Sequence, residues 1–147
     1  MQTISVNGYD MAYLEVGQGA ANAPPLVCIH GSLCDFRIWS CVLGPLTRKH
    51  RVIAPSLRHF FPEHWNGVGD TYSIAQHVDD VIAFIEKLDT RPVDLMGHSR
   101  GGHICFRVAQ RRPVQDVASR HAHRRNEQLE ADARRWICSS RMGRDGG

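Results

Sequence analysis

No apolar run in this sequence approaches the roughly 20 residues that a membrane helix needs, so none of its 147 residues is expected to span a bilayer. Net charge is also scarce. Eighteen Lys plus Arg against 15 Asp plus Glu leave a formal +3, too small and too evenly spread for a nucleic-acid footprint. The five cysteines, at 28, 34, 41, 105 and 138, are odd in number and include no C-x-x-C pair. Neither a disulfide framework nor a metal site is therefore indicated. The opening residues MQTISVNGYD lack both the basic start and the apolar core of a secretory signal, and a reduced, cytoplasmic compartment is the expectation. No P-loop is present. Gly17-Gln18-Gly19 precedes a strand instead of following one, so it is no dinucleotide fingerprint, and no cofactor is expected. What remains, 42% hydrophobic and 22% charged, is the composition of an ordinary globular domain with room for one core.

That composition changes at about Pro113. Residues 1–112 hold 11 Lys plus Arg and 10 acids with apolar segments at regular intervals, whereas the last 35 residues hold 7 Arg and 5 acids and few large apolar side chains. We expect residues 1–112 to carry the fold and 113–147 to form an Arg-rich appendage, with one short helix over 126–137 or none. The abrupt shift also raises the expectation of a truncated product, from a change of reading frame near Pro113.

In the first part, Thr3–Val6 and Tyr9–Glu15 flank Asn7-Gly8, a strong hairpin signal. Leu26–Ile29, Arg51–Ala54 and Val93–Met96 are short and almost wholly apolar. Between them lie helical patterns: Phe36–Leu46, capped by Asp35, and a longer one opened by Ser73 with Gln76 completing a capping box. In the longer helix Ile74, Val78, Val81, Ile82, Ile85 and Leu88 share one face, with Asp79, Asp80, Glu86 and Lys87 mostly elsewhere. Apolar strands alternating with helices are buried on both faces, which predicts a mostly parallel α/β sheet with an N-terminal hairpin.

Two short motifs could carry chemistry. Gly97-His98-Ser99-Arg100-Gly101 is a G-x-S-x-G pentapeptide between an apolar strand and a helix, the setting a nucleophile elbow requires. A tight turn would hold Ser99 in strained geometry, and a side chain at Gly97 or Gly101 would collide with the neighbouring strand and helix. The following helix would aim N–H groups at a developing oxyanion. The plainer reading is a glycine-rich turn with an inert serine. His30-Gly31-Ser32-Leu33 directly follows the first apolar strand, and the N–H of Ser32 or Leu33 is the natural second oxyanion donor. Its plainer reading is an ordinary strand-to-helix turn.

Together the hairpin, LVCIHGS at 26–32, RVIAP at 51–55, the helix over 73–88 and DLMGHSRGG at 94–102 resemble the N-terminal half of the α/β-hydrolase family, over residues 3–112. The resemblance implies an incomplete α/β-hydrolase sheet. It makes Ser99 the catalytic nucleophile and the N–H groups of Arg100 and Ser32 the oxyanion donors. A serine there implies hydrolysis of an ester, thioester, amide or C–C bond in a small molecule, because the dehalogenase and epoxide-hydrolase branches usually carry Asp at that place. Two positions depart from the pattern: Ser56 stands where many members have Asp, and His59 where they have Gly, which puts the shape of that loop in question. The family's catalytic acid and histidine come later in chain order than Ser99, and no further apolar strand follows to place them. Both stay unassigned. The alternative is a hydrolase-like fragment without turnover.

Other histidines read as structural. His98 should pack beside its strand and His103 should be partly buried on its helix, while surface or packing roles suit His59, His64 and His77. His121 and His123 alone keep the family order, without strands to place them or a third ligand for a metal. Finally, if no later strand pairs with Val93–Met96, that edge is expected to template self-association.

Overall fold

The computed structural model describes residues 1–111 apart from 22, 66, 69–71, 89 and 91. The boundary at Pro113, the helix over 126–137, His121, His123 and the late acids lie outside the described residues.

The hairpin forms as the sequence dictates. Strands β1 (Gln2–Val6) and β2 (Tyr9–Val16) pair antiparallel, with Val6 opposite Tyr9. Asn7 and Gly8 both adopt positive φ, at 44° and 82°, matching the twist of the strands they join. Strands β3 (Leu26–Ile29), β4 (Val52–Pro55) and β5 (Asp94–Gly97) complete a five-stranded sheet in the order β1-β2-β4-β3-β5. β2 meets β4 antiparallel, and β3 lies between β4 and β5, parallel to both. The two later strands begin one residue beyond the apolar runs that predict them. Among the described residues β5 pairs with β3 alone.

Both faces of the sheet are covered, so the strands could dispense with polar alternation. Helices α2 (Ile74–Lys87) and α3 (Arg100–Arg111) close one face, with Val78, Val81, Phe84, Ile104 and Val108 packed against Met11, Val27, Ile29 and Ile53. Phe84, which the apolar stripe of the sequence leaves out, is fully buried and meets Tyr13 edge to face, centroids 5.3 Å apart. On the other face Phe36 and Trp39 pack with Ala12, Leu26, Cys28, Val52 and Ala54.

Two helical expectations need correction. The single helix predicted over 36–46 is a 3₁₀ turn at Phe36–Trp39 followed by α1 (Ser40–Thr47). Asp35 causes the tighter start: its carboxylate accepts from the Arg37 N–H, and its carbonyl accepts from the Ile38 N–H. At α2 the capping box is half made. Ser73 Oγ accepts from the Gln76 N–H at 3.0 Å, but the Gln76 amide donates forward to Asp80 Oδ1.

Candidate functional site

The strand β5 ends in a turn that only glycine permits at its flanks. A Cβ on Gly97 would lie 2.5 Å from the Gly101 carbonyl group and the Gly102 nitrogen, and one on Gly101 would lie 2.1 Å from the Ile29 oxygen. Between them Ser99 takes φ +53°, the left-handed region that side chains avoid. Its side chain is exposed. The His98 N–H donates to Ile29 O, which ties the turn to the end of β3. Gly101 and Gly102 donate to the carbonyls of His98 and Ser99, and the Arg100 N–H at the helix start has no partner within the helix.

The β3 loop comes up against the same turn. A Cβ on Gly31 would sit 3.0 Å from Ser99 Cβ and from His98 Nδ1, so glycine is what allows the approach. Ser32 and Leu33 follow, exposed, with Leu33 at φ +60°. The structure thus brings together Ser99, Gly97, Gly101, Gly31 and the loop carrying Ser32 and Leu33, with Arg100 opening α3 beside them. Among the described residues, no imidazole hydrogen-bonds to Ser99 Oγ.

The histidines divide differently from the sequence reading. His98 and His103 are exposed, not packed inward. His98 is displaced outward because it follows the strand at the turn itself, and His103 lies on the solvent side of α3, where its Nε2 accepts from Arg107 Nε. His30 is fully buried at the end of β3. Its Nε2 must accept from the Leu57 N–H, at 2.9 Å, so the proton sits on Nδ1 and is donated to Gly31 O at 2.7 Å. With both nitrogens engaged it staples the β3 loop to the loop after β4, and burial lowers its pKa.

A buried polar cluster beneath the turn was not visible in the sequence. Asp80, placed by helical periodicity away from the apolar face, is fully buried. Arg58 explains it: its Nε and Nη2 meet Asp80 Oδ2 and Oδ1 at 2.9 and 3.0 Å, while Asn7 and Gln76 also donate to Oδ1. The Arg58 guanidinium lies over the Tyr9 ring, 4.1 Å from its centroid. One turn before Asp80, fully buried His77 accepts from Arg100 Nη2 on Nδ1 at 3.3 Å, and Nε2 is within 3.2 Å of Arg58 O.

The two departures, at 56 and 59, are each held by a hydrogen bond. Ser56 Oγ donates to Phe61 O at 2.5 Å. His59 holds φ +72°, the left-handed region that favours glycine, its N–H bound to Glu63 Oε2 at 2.6 Å. Burial pushes the Cys28 and Cys105 thiols up to about 12, which keeps both protonated.

The cluster sets a pH dependence. Burial first, and Arg100 second, lower His77 to about 4 from 6.5. The unfolded chain therefore binds a proton that the folded chain refuses between these values. The contribution is complete above pH 6.5 and lost as pH falls toward 4; His30, lowered as well, acts in the same direction. Urea denaturation is expected to show up to roughly 3 kcal/mol less stability at pH 4 than at pH 7. A midpoint independent of pH over that range would contradict the burial of His77.

A mostly parallel sheet covered on both faces, with a strained serine where β5 turns into a helix, defines an α/β protein of the hydrolase type. The chain belongs to the alpha/beta hydrolase fold family, whose pattern matches residues 24–137. It is 34% identical over 110 residues to a 3-hydroxybutyrate-oligomer hydrolase of Cupriavidus necator, a match covering 74% of this chain and 37% of that protein. To epoxide hydrolase 2 of Caenorhabditis elegans it is 30% identical over 107 residues, covering 72% and 29%. Among solved structures, AqDC, crystallised for recognition and ring cleavage of the Pseudomonas quinolone signal, superposes with a TM-score of 0.70 at 26% identity, covering 80% of this chain and 43% of that one. An ancestral haloalkane dehalogenase gives 0.67 at 29%, covering 77% and 38%. The chain spans well under half the length of these relatives. No helix among the described residues is long and apolar enough to cross a membrane.

Proposed function

We propose that the protein is a serine hydrolase of the α/β-hydrolase type, acting on an ester, thioester, amide or C–C bond of a small molecule, with Ser99 as nucleophile. One observation carries the reading: Ser99 is exposed at φ +53° between two glycines that no other residue could replace. Such strain is kept where geometry matters more than stability. Serine rather than aspartate at this turn separates the chain from the dehalogenase and epoxide-hydrolase chemistry of some relatives. It suits the ester chemistry suggested by the 3-hydroxybutyrate-oligomer hydrolase.

Ser99 Oγ would attack the carbonyl carbon, its proton passing to a base, and the carbonyl oxygen would gain negative charge. The Arg100 N–H at the head of α3 and the N–H of Ser32 or Leu33 from the β3 loop would hold that oxyanion. Collapse of the tetrahedral species would expel the leaving group with a proton, and water would then release the acyl group from Ser99. The base and the acid that orients it are not among the described residues.

A fluorophosphonate probe followed by peptide mass spectrometry tests the assignment. The adduct is expected on Ser99 and should vanish in Ser99→Ala. Absence of any adduct under conditions that label a reference esterase would favour the alternative, a hydrolase-like fragment without turnover. If the chain lacks a base for Ser99, as that alternative holds, it should turn over a p-nitrophenyl ester about 10⁶-fold more slowly than an intact triad enzyme. A rate typical of intact enzymes, abolished by Ser99→Ala, would place a working base in the chain.

A further inference from the structure

We propose that His77 is a positioning residue for the Ser99 turn: its neutral imidazole accepts a hydrogen bond from the Arg100 side chain and thereby fixes the Arg100 N–H beside Ser99. The proposal rests on the assignment of Ser99 above. Arg100 is the first residue of α3, and its N–H is one of the two oxyanion donors. Its side chain does not extend into solvent. Nη2 reaches back to donate to Tyr72 O at 3.1 Å and to His77 Nδ1 at 3.3 Å, while the guanidinium covers the Tyr72 ring at 4.5 Å. These contacts hold the head of α3 against the segment that starts α2.

His77 is an unusual anchor because it is itself immobilised. It is fully buried, meets Tyr72 edge to face at 5.6 Å, and its Nε2–H points to Arg58 O. Arg58 is locked by Asp80. The chain of contacts Asp80, Arg58, His77, Arg100 thus runs from the core to the turn. Since a guanidinium can only donate, His77 Nδ1 must be unprotonated for the tie to exist. A protonated ring would place a second cation against Arg100. The charged or titratable groups facing the ring are Arg100 from α3, Arg58 and His59 from the loop after β4, Tyr72 before α2, and Asp80 on its own helix.

The test is an NMR titration of the full chain from pH 7 to 3.5, watching the His77 ring and the Arg100 backbone amide together. The Arg100 amide is expected to shift with the same midpoint as the His77 ring, near 4. That step should disappear in His77→Phe, which keeps the ring volume without an acceptor; persistence of the step there would assign it to a group other than His77 and overturn the proposal. Should His77→Phe fail to fold, Arg100→Met cuts the tie from its other end and should raise the His77 midpoint; an unmoved midpoint would equally overturn it. Ser99 phosphonylation is expected to slow about tenfold in His77→Phe, less than the 10²–10³ for deleting a donor outright, and to recover in part in His77→Asn. If the wild-type chain is never phosphonylated, the Ser99 assignment fails while the titration still decides the role of His77.

Discussion

Gly101→Ala is expected to leave little folded protein. The added methyl group would fall 2.1 Å from the Ile29 oxygen and 2.5 Å from the His30 oxygen. Both belong to the backbone at the end of β3, which is held between β4 and β5 and cannot retreat without breaking the ladder on either side. Overpacking of a core commonly costs about 1–3 kcal/mol when side chains can yield. Here only main chain is available to move, so the loss should exceed about 3 kcal/mol, a large part of the roughly 5–15 kcal/mol that hold a domain together. Gly44→Ala supplies the comparison, because nothing lies within 4 Å of its added carbon and α1 surrounds it. That change should be neutral or stabilising by up to about 1 kcal/mol. Urea denaturation of the two variants side by side measures the difference, and equal midpoints would mean that α3 does not press on β3 as described.

Asp80→Ala should rank next. The Arg58 side chain it neutralises is 11% exposed, and loss of the carboxylate strands both guanidinium donors together with the amides of Asn7 and Gln76. Removing one partner of a buried ion pair leaves a charge without compensation and typically costs about 3–5 kcal/mol. The double change Asp80→Leu with Arg58→Met removes both charges and should recover much of that loss. A single variant within about 1 kcal/mol of wild type in chemical denaturation would show that water reaches the Arg58 head group.

Burial on both faces is why β3 and β4 stand out in the sequence as apolar runs, and Asn7-Gly8 announces its turn because few other pairs accept two positive φ values. The glycines at 97 and 101 were legible for the same kind of reason, since what they do is leave a carbon out. Asp80 and His77 were not legible. A helical wheel assigns charged and polar positions to solvent, and the partner that brings Asp80 inside, Arg58, lies 22 residues earlier on a loop without periodicity. His30 was hidden in another way: one of its partners is its own neighbour and the other, Leu57, offers only a backbone N–H. His103 reversed its expected side because sequence spacing does not say which face of α3 meets the sheet, and His98 did so because it sits on the turn before that helix. Phe84 on α2 was missed although it is the largest fully buried side chain among the described residues.

The backbone at Ser99 has a bearing on how the sequence can change. A side-chain-bearing residue at φ +53° costs on the order of 1–2 kcal/mol relative to glycine. The codon change that relieves this cost also deletes the hydroxyl. Random variation screened by heat alone will therefore accumulate Ser99→Gly, and a population freed from any requirement for chemistry should drift the same way. A serine at 99 is in this sense a burden carried by the fold, and its upkeep depends on selection for something other than thermal endurance.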